Sequence, residues 1–154
     1  MNRHALICYL ILLVFFTVTT VTDVKRREIS WQLAVMAFLA LTFGHIVSYT
    51  TISKFIIAAF LFGTFYLLEA IFVTGSGGDI IMAALLGYGL GLSHGAIAFI
   101  ISGIGMLALF LYRRHLDKRV TLKTEVPLAP FLCLGIFVEF ILRLSGILSY
   151  DWRF

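Results

Sequence analysis

Two aspartates, Asp23 and Asp79, are the residues of this chain with the clearest capacity for chemistry. Asp23 ends the first long apolar run, and Asp79 immediately precedes the fourth. Two carboxylates held close together cannot both ionise, so one can activate a water molecule while its protonated partner polarises a carbonyl group. This is the chemistry of aspartic proteolysis, and because the pair titrates as a unit, the sequence does not assign the base. The alternative is that Asp79 only caps a helix, since aspartate is a favoured N-cap residue.

Four small residues precede the second aspartate, namely Gly75, Ser76, Gly77 and Gly78. Glycine adopts backbone conformations closed to other residues and lets a substrate approach closely. Irregular backbone at membrane depth is tolerated where it lines a wet cavity. We therefore expect these four residues to line a water-filled pocket, with Asp79 recessed below the membrane surface.

Two charged residues close to the aspartates are further candidates for the pocket. Glu69 lies inside an apolar run shortly before the glycines, and a carboxylate at that depth usually faces a polar cavity or a partner. We expect Glu69 near the pocket, with a place at the lipid interface as the alternative. Lys25 could interact with Asp23, although anchoring to anionic lipid is the simpler role for a basic residue at a helix end.

The composition indicates which elements position these residues. The chain is 61% hydrophobic and 13% charged, whereas an ordinary soluble domain is about 45–50% apolar and roughly 25% charged. So little polar surface requires a bilayer as solvent. Six apolar runs predict an all-α membrane protein of about six transmembrane helices, in one domain over residues 1–154. The runs cover residues 4–22, 31–49, 55–73, 80–92, 96–112 and 126–148.

The distribution of basic residues predicts the orientation. If the segment after the first run is cytoplasmic, eight of the twelve lysines and arginines lie on the cytoplasmic side and four on the other. Cytoplasmic loops carry the excess of basic residues, so we expect the N-terminus outside. Asp23 and Asp79 then reach the same, cytoplasmic face. Orientation in the membrane also accounts for the net charge of +4, so nucleic acid is not expected as a partner.

The other polar residues of the apolar runs suggest no further site. Glu139 is expected to pair with Arg143, one helical turn on. The histidines and cysteines are scattered and lack metal-ligand spacing. No metal or other cofactor is therefore predicted.

Three segments, in this order, resemble the motifs of one enzyme family. The first segment resembles Asp-x-Lys/Arg-x-Arg-x-Ile and covers residues 22–29, which read Thr-Asp-Val-Lys-Arg-Arg-Glu-Ile. The second segment resembles Gly-x-Gly-Asp and covers residues 76–79, which read Ser-Gly-Gly-Asp. Residues 126–131, Val-Pro-Leu-Ala-Pro-Phe, resemble Pro-x-x-Pro-Phe. Together they resemble the type IV prepilin peptidases over nearly the whole chain.

This resemblance implies a cytoplasm-facing aspartic endopeptidase of the inner membrane, with Asp23 and Asp79 as the catalytic pair. The implied substrates are prepilin or pseudopilin precursors, whose short basic leader is removed and could meet Glu69. Three residues depart from the family pattern: Ser76 replaces a glycine, Ile81 a frequent lysine and Ser30 a proline. The cysteine-containing insertion of members that also methylate the new N-terminus is missing between the first two runs, so no N-methyltransferase activity is expected.

Two other classes of protein deserve comparison. A small membrane transporter or an assembly scaffold could use Asp23 and Asp79 as ion sites or as helix caps, without proteolysis. Presenilin-like proteases share Gly-x-Gly-Asp, but in that family the first catalytic aspartate lies within a helix next to tyrosine. Asp23 follows Thr22 at the end of a run, which disfavours that family.

Overall fold

The computed structural model describes residues 3–26, 29–47, 50–72, 77–117 and 127–147, and within them the chain forms five α-helices. They are α1 (Arg3–Arg26), α2 (Trp31–Val47), α3 (Ile52–Phe72), α4 (Gly77–Leu116) and α5 (Ala129–Leu144). The predicted all-α class is confirmed for this part of the chain.

Three of the five helices are long and apolar enough to cross a membrane. They are α1 over Ala5–Lys25, α3 over Ile52–Ile71, and α4, while α2 is apolar but only 17 residues long. The outer surface of the bundle is apolar too, since Phe60 is 72% and Met36 65% exposed. Large apolar patches of this kind mark contact with a membrane or a partner. The described residues thus contain three candidate spans, fewer than the six transmembrane helices predicted.

The described residues form five helices where six were predicted, because α4 joins the predicted fourth and fifth runs. Its backbone is non-helical at Gly91, with φ 74° and ψ −176°, a conformation that glycine adopts without steric cost. A Cβ built on Gly95 would lie 3.8 Å from the Cα of Gly87, whereas eight residues of straight helix cover ~12 Å. The chain therefore doubles back at Gly91, just before the break at residues 93–95 that separates the predicted fourth and fifth runs. The result is two arms, residues 77–90 and 92–116.

Small residues bring α3 and the first arm of α4 into close contact. A Cβ on Gly87 would lie only 2.6 Å from the carbonyl oxygen of Ala58, and one on Gly63 would lie 3.4 Å from the Cβ of Ala84. The residue numbers in these pairs run in opposite directions, so the two helices are antiparallel. Close approach through small residues is the usual way in which membrane helices pack.

This packing predicts that Gly87→Ala is destabilising. The added methyl group meets a backbone oxygen, which cannot swing aside, so α3 and α4 must separate; overpacking of this kind costs about 1–3 kcal/mol. Reversible unfolding in detergent micelles measures the change. The matched control is Gly103→Ala in the second arm, because a Cβ on Gly103 has no neighbour within 4 Å. Equal effects of the two substitutions would contradict the close packing described here.

The helices α1 and α5 run antiparallel and contact each other along their lengths. Asp23, near the end of α1, meets Ala129 at the start of α5, and Tyr9, near the beginning of α1, meets Glu139 near the end of α5. Between them, Thr17 Oγ1 lies 3.6 Å from Cys133 Sγ. This helix pair positions Asp23.

Candidate active site

Asp23 lies in the last turn of α1 and is buried, with 8% of its surface exposed. Its Oδ2 accepts a hydrogen bond of 3.1 Å from the backbone N–H of Ala129. The first N–H groups of a helix have no partner within the helix, and the N-cap residue of α5, Leu128, provides no side-chain cap. Asp23 satisfies one of these groups from another helix, where a negative charge also complements the helix dipole.

Asp79 lies in the first turn of α4 and is half-buried. Residues three, four and seven positions further along a helix lie on the same face. At these positions α4 carries Met82, Ala83 and Leu86, all fully buried. Asp79 is therefore in register with the stripe of α4 that faces the core of the bundle.

Both aspartates lie at the same end of the bundle. The segment between α1 and α2 contacts the first turn of α4, because a Cβ on Gly78 would lie 2.5 Å from Cδ1 of Ile29. Ile29 follows Asp23 closely in sequence, and Gly78 is next to Asp79. The α1–α2 connection and the start of α4, which are remote in sequence, thus meet where the carboxylates are.

Glu69 and Tyr66, both in the last turns of α3, complete the polar surroundings of Asp79. The charge of Asp79 acts on the Glu69 carboxyl group and on the Tyr66 hydroxyl group. Glu69 is half-buried and Tyr66 is buried. Glu69 therefore lies close enough to Asp79 for their charges to interact. Tyr66 was not anticipated, because a tyrosine within an apolar run resembles any core aromatic residue.

The remaining candidate residues have different environments. Lys25 is exposed on α1. Gly77 and Gly78 belong to α4, and neither has a positive φ angle, so the prediction of irregular backbone is wrong for these two residues. The absence of a side chain at Gly78 instead makes room for Ile29. The other two members of the predicted loop, Gly75 and Ser76, lie outside the described residues.

A second polar cluster lies inside the bundle, far from Asp23. Glu139 is fully buried; its Oε2 accepts a hydrogen bond from the Tyr9 hydroxyl, and its Oε1 lies 2.7 Å from Nδ1 of His94. The expected partner, Arg143, instead lies over the Tyr9 ring, 5.8 Å from its centroid. Tyr9 is ~21 Å from Asp23 along α1. We call the three residues Tyr9, His94 and Glu139 the inner cluster.

The inner cluster and the carboxylates near Asp79 therefore differ in their capacity for chemistry. The inner cluster is internally hydrogen-bonded and joins α1, α4 and α5, which is a structural arrangement. Asp23, Asp79 and Glu69 supply carboxylates from α1, α4 and α3 at one end of the bundle. In the described part of the chain, no group of three or more His, Cys, Asp or Glu residues could hold a metal ion.

Comparisons of the chain with protein-family models, with curated proteins and with solved structures find no match.

Proposed function

We propose that this protein is a membrane aspartic endopeptidase that removes the short basic leader from prepilin-like precursors at the cytoplasmic face. The observation that carries the proposal is the meeting of the three motif segments. Asp23 of the first contacts Ala129 of the third, and Ile29 of the first contacts Gly78 of the second. The three segments therefore meet at the end of the bundle that holds both aspartates.

In the proposed reaction, the ionised member of the pair takes a proton from a water molecule as the water attacks the scissile carbonyl carbon. The protonated member donates a hydrogen bond to the carbonyl oxygen and stabilises the charge that develops there. The first carboxyl group then returns its proton to the leaving amine. Neither Asp23 nor Asp79 is assigned to one role, because the two titrate together.

The charges around Asp79 suit a basic leader. Glu69 adds a second carboxylate whose charge interacts with that of Asp79, and complementary charge orients an incoming partner and excludes wrong ones. A leader of lysine and arginine residues stays in the cytoplasm while the apolar segment after it remains in the bilayer. The junction between them then reaches the membrane interface, where the carboxylates of the proposed site lie.

We further propose that the chain crosses the inner membrane six times, with its N-terminus outside. The six segments are α1, α2, α3, the two arms of α4, and α5. The sharp reversal at Gly91 supports this topology, because a straight α4 of 40 residues would extend ~60 Å, twice the ~30 Å of bilayer hydrocarbon.

The proposal is tested with the full chain in lipid vesicles and a precursor that carries a basic leader followed by an apolar helix. The expected result is cleavage at the junction, identified by the mass of both products. Pilin-like and unrelated membrane proteins are compared as substrates in the same vesicles. An intact pilin-like precursor, together with a proton or ion flux that is lost in Asp23 and Asp79 variants, would favour a transporter instead.

A further inference from the structure

The start of α5 offers a single backbone donor to the rest of the bundle, and Asp23 accepts it. The first N–H groups of a helix find no acceptor one turn earlier. Among the first three residues of α5, Pro130 has no N–H group, and the N–H of Phe131 donates to the carbonyl oxygen of Leu128 over 3.1 Å. The N–H of Ala129 is the one that remains, and it donates to Oδ2 of Asp23.

This donor is held in a fixed place. Ala129 and Leu132 are fully buried and Leu128 is 5% exposed, so the start of α5 is embedded in the core. The ring of Pro130 restricts the backbone next to the donor. The N–H of Leu132 closes the first helical turn by donating to the Leu128 carbonyl oxygen over 3.1 Å. A backbone N–H in these surroundings cannot swing away, as a side-chain donor could.

Asp23 gains orientation from this bond. An aspartate side chain rotates about two single bonds, and a hydrogen bond to one carboxylate oxygen restricts both rotations. The other oxygen can then exchange a proton in a defined direction, which general acid–base catalysis requires. The Thr19 side chain, one turn before Asp23 on α1, is fully buried, so the helix that carries the carboxylate is embedded as well.

We propose that the N–H of Ala129 is a positioning group for the peptidase reaction, which holds the Asp23 carboxylate in the orientation needed for proton transfer. This inference rests on the proposed function. It gives the third motif segment a role, because Pro130 removes a competing donor and burial fixes the remaining one. Ala129 acts through Asp23 and does not itself take part in the chemistry.

The test replaces the amide at residue 129 by an ester, through incorporation of lactic acid, the hydroxy acid that corresponds to alanine. This change removes the N–H group and keeps the side chain. We expect kcat for leader cleavage to fall about 10- to 100-fold, since displacing a reacting group by about 1 Å costs up to ~100-fold. KM should stay at the wild-type value, because the lost group faces Asp23 and not the precursor.

The pH profile of kcat is the readout that a purely structural role would not change. A hydrogen bond from an N–H group favours the ionised form of a carboxyl group. Without it Asp23 takes up a proton more readily, so the limb of the profile that Asp23 sets should move to higher pH. The charged side chains of Lys25, Glu69 and Asp79 are the same in both proteins, so the movement reports the lost bond.

The matched control is the same ester at residue 131, made with phenyllactic acid. An ester at residue 129 also weakens the Leu128 carbonyl as an acceptor, and the ester at residue 131 removes one of the bonds to that same carbonyl. The control leaves the Ala129 donor in place, so it should keep the wild-type kcat and pH profile. Equal losses of kcat in the two esters, with both pH profiles unmoved, would leave the start of α5 with a structural role only.

The two proposals fail in different ways. If the wild-type protein cleaves no pilin-like precursor, the proposed function is wrong. If it cleaves the precursor and the ester at residue 129 keeps both kcat and the pH profile, only the positioning role is wrong.

A second measurement needs neither an ester nor cleavage. The Ala129 amide is followed by NMR of the full chain in detergent micelles, with ¹⁵N-labelled alanine, as the pH is lowered. We expect its proton resonance to move as Asp23 takes up a proton, and this movement to be absent in Asp23→Asn. A resonance that stays in place in the wild type, or that moves equally in Asp23→Asn, would overturn the assignment.

Discussion

Asp79→Asn and Asp23→Asn are each expected to lower leader cleavage by about 100- to 10,000-fold, the range that a general acid or base contributes. Asparagine has nearly the shape of aspartate but can neither take a proton from water nor donate one to the leaving amine. Cleavage of a precursor in vesicles, followed by the masses of the products, measures the loss. The control is Asp117→Asn, at an exposed residue directly after α4, which should cleave at the wild-type rate.

Asp23 needs a second comparison, because it also binds the start of α5. Asparagine keeps a side-chain oxygen that accepts the Ala129 N–H, whereas Asp23→Ala leaves this buried group without its partner. Loss of such a cap costs ~1 kcal/mol. We therefore expect both variants to show this loss of cleavage but only Asp23→Ala to be less stable. An active Asp23→Asn variant would leave Asp23 as a helix cap and remove it from the proposed mechanism.

The inner cluster gives the second large expected effect, on stability. His94→Leu removes the group 2.7 Å from the fully buried Glu139 carboxyl. Leaving a buried polar group without its hydrogen-bond partner costs about 1–3 kcal/mol, because the group stays desolvated with nothing in exchange. Reversible unfolding in detergent micelles should show a loss of about this size. His115→Leu, an exposed histidine in the last turn of α4, is the matched control and should unfold like the wild type.

A combined variant separates the hydrogen bonds of the buried polar groups from ordinary packing. Replacing all three members of the inner cluster, by Tyr9→Phe, His94→Leu and Glu139→Leu, removes every polar group that needs a partner. Apolar replacement of a whole buried network is often neutral or stabilising. The combined variant should therefore be more stable than His94→Leu alone. If it is less stable, the cluster stabilises the bundle through its shape and not through its hydrogen bonds.

The helices, and the apolar character that would let three of them cross a membrane, could be predicted from the chain because both depend on local composition. Runs predicted at residues 31–49 and 55–73 correspond to α2 (Trp31–Val47) and α3 (Ile52–Phe72). An apolar run of this length in a membrane must satisfy its backbone hydrogen bonds within itself, so it forms a helix whatever surrounds it. The approximate ends of these two helices could also be predicted, since polar residues flank the apolar runs.

The reversal in α4 could not be placed from local signals. Ser93 and Gly95 look like a turn, yet the chain turns at Gly91. The reason lies in another helix: Phe62 of α3 sits where a Cβ on Gly87 or on Gly95 would be, 2.6 Å and 2.9 Å from its ring atoms. The two arms close over this ring, and no pattern within α4 records the position of Phe62.

The same division holds for Asp23 and Asp79. Residue types and motif order were enough to single out Asp23 and Asp79, because carboxylates are rare in apolar runs and expensive there. The partners of buried polar groups depended on tertiary structure. Glu139 pairs with Tyr9 and His94, 130 and 45 residues away, although Arg143 is its neighbour on α5. Asp23 caps a helix that begins 106 residues later, since a buried group takes the partner that packing brings to it, and only the assembled bundle determines which partner that is.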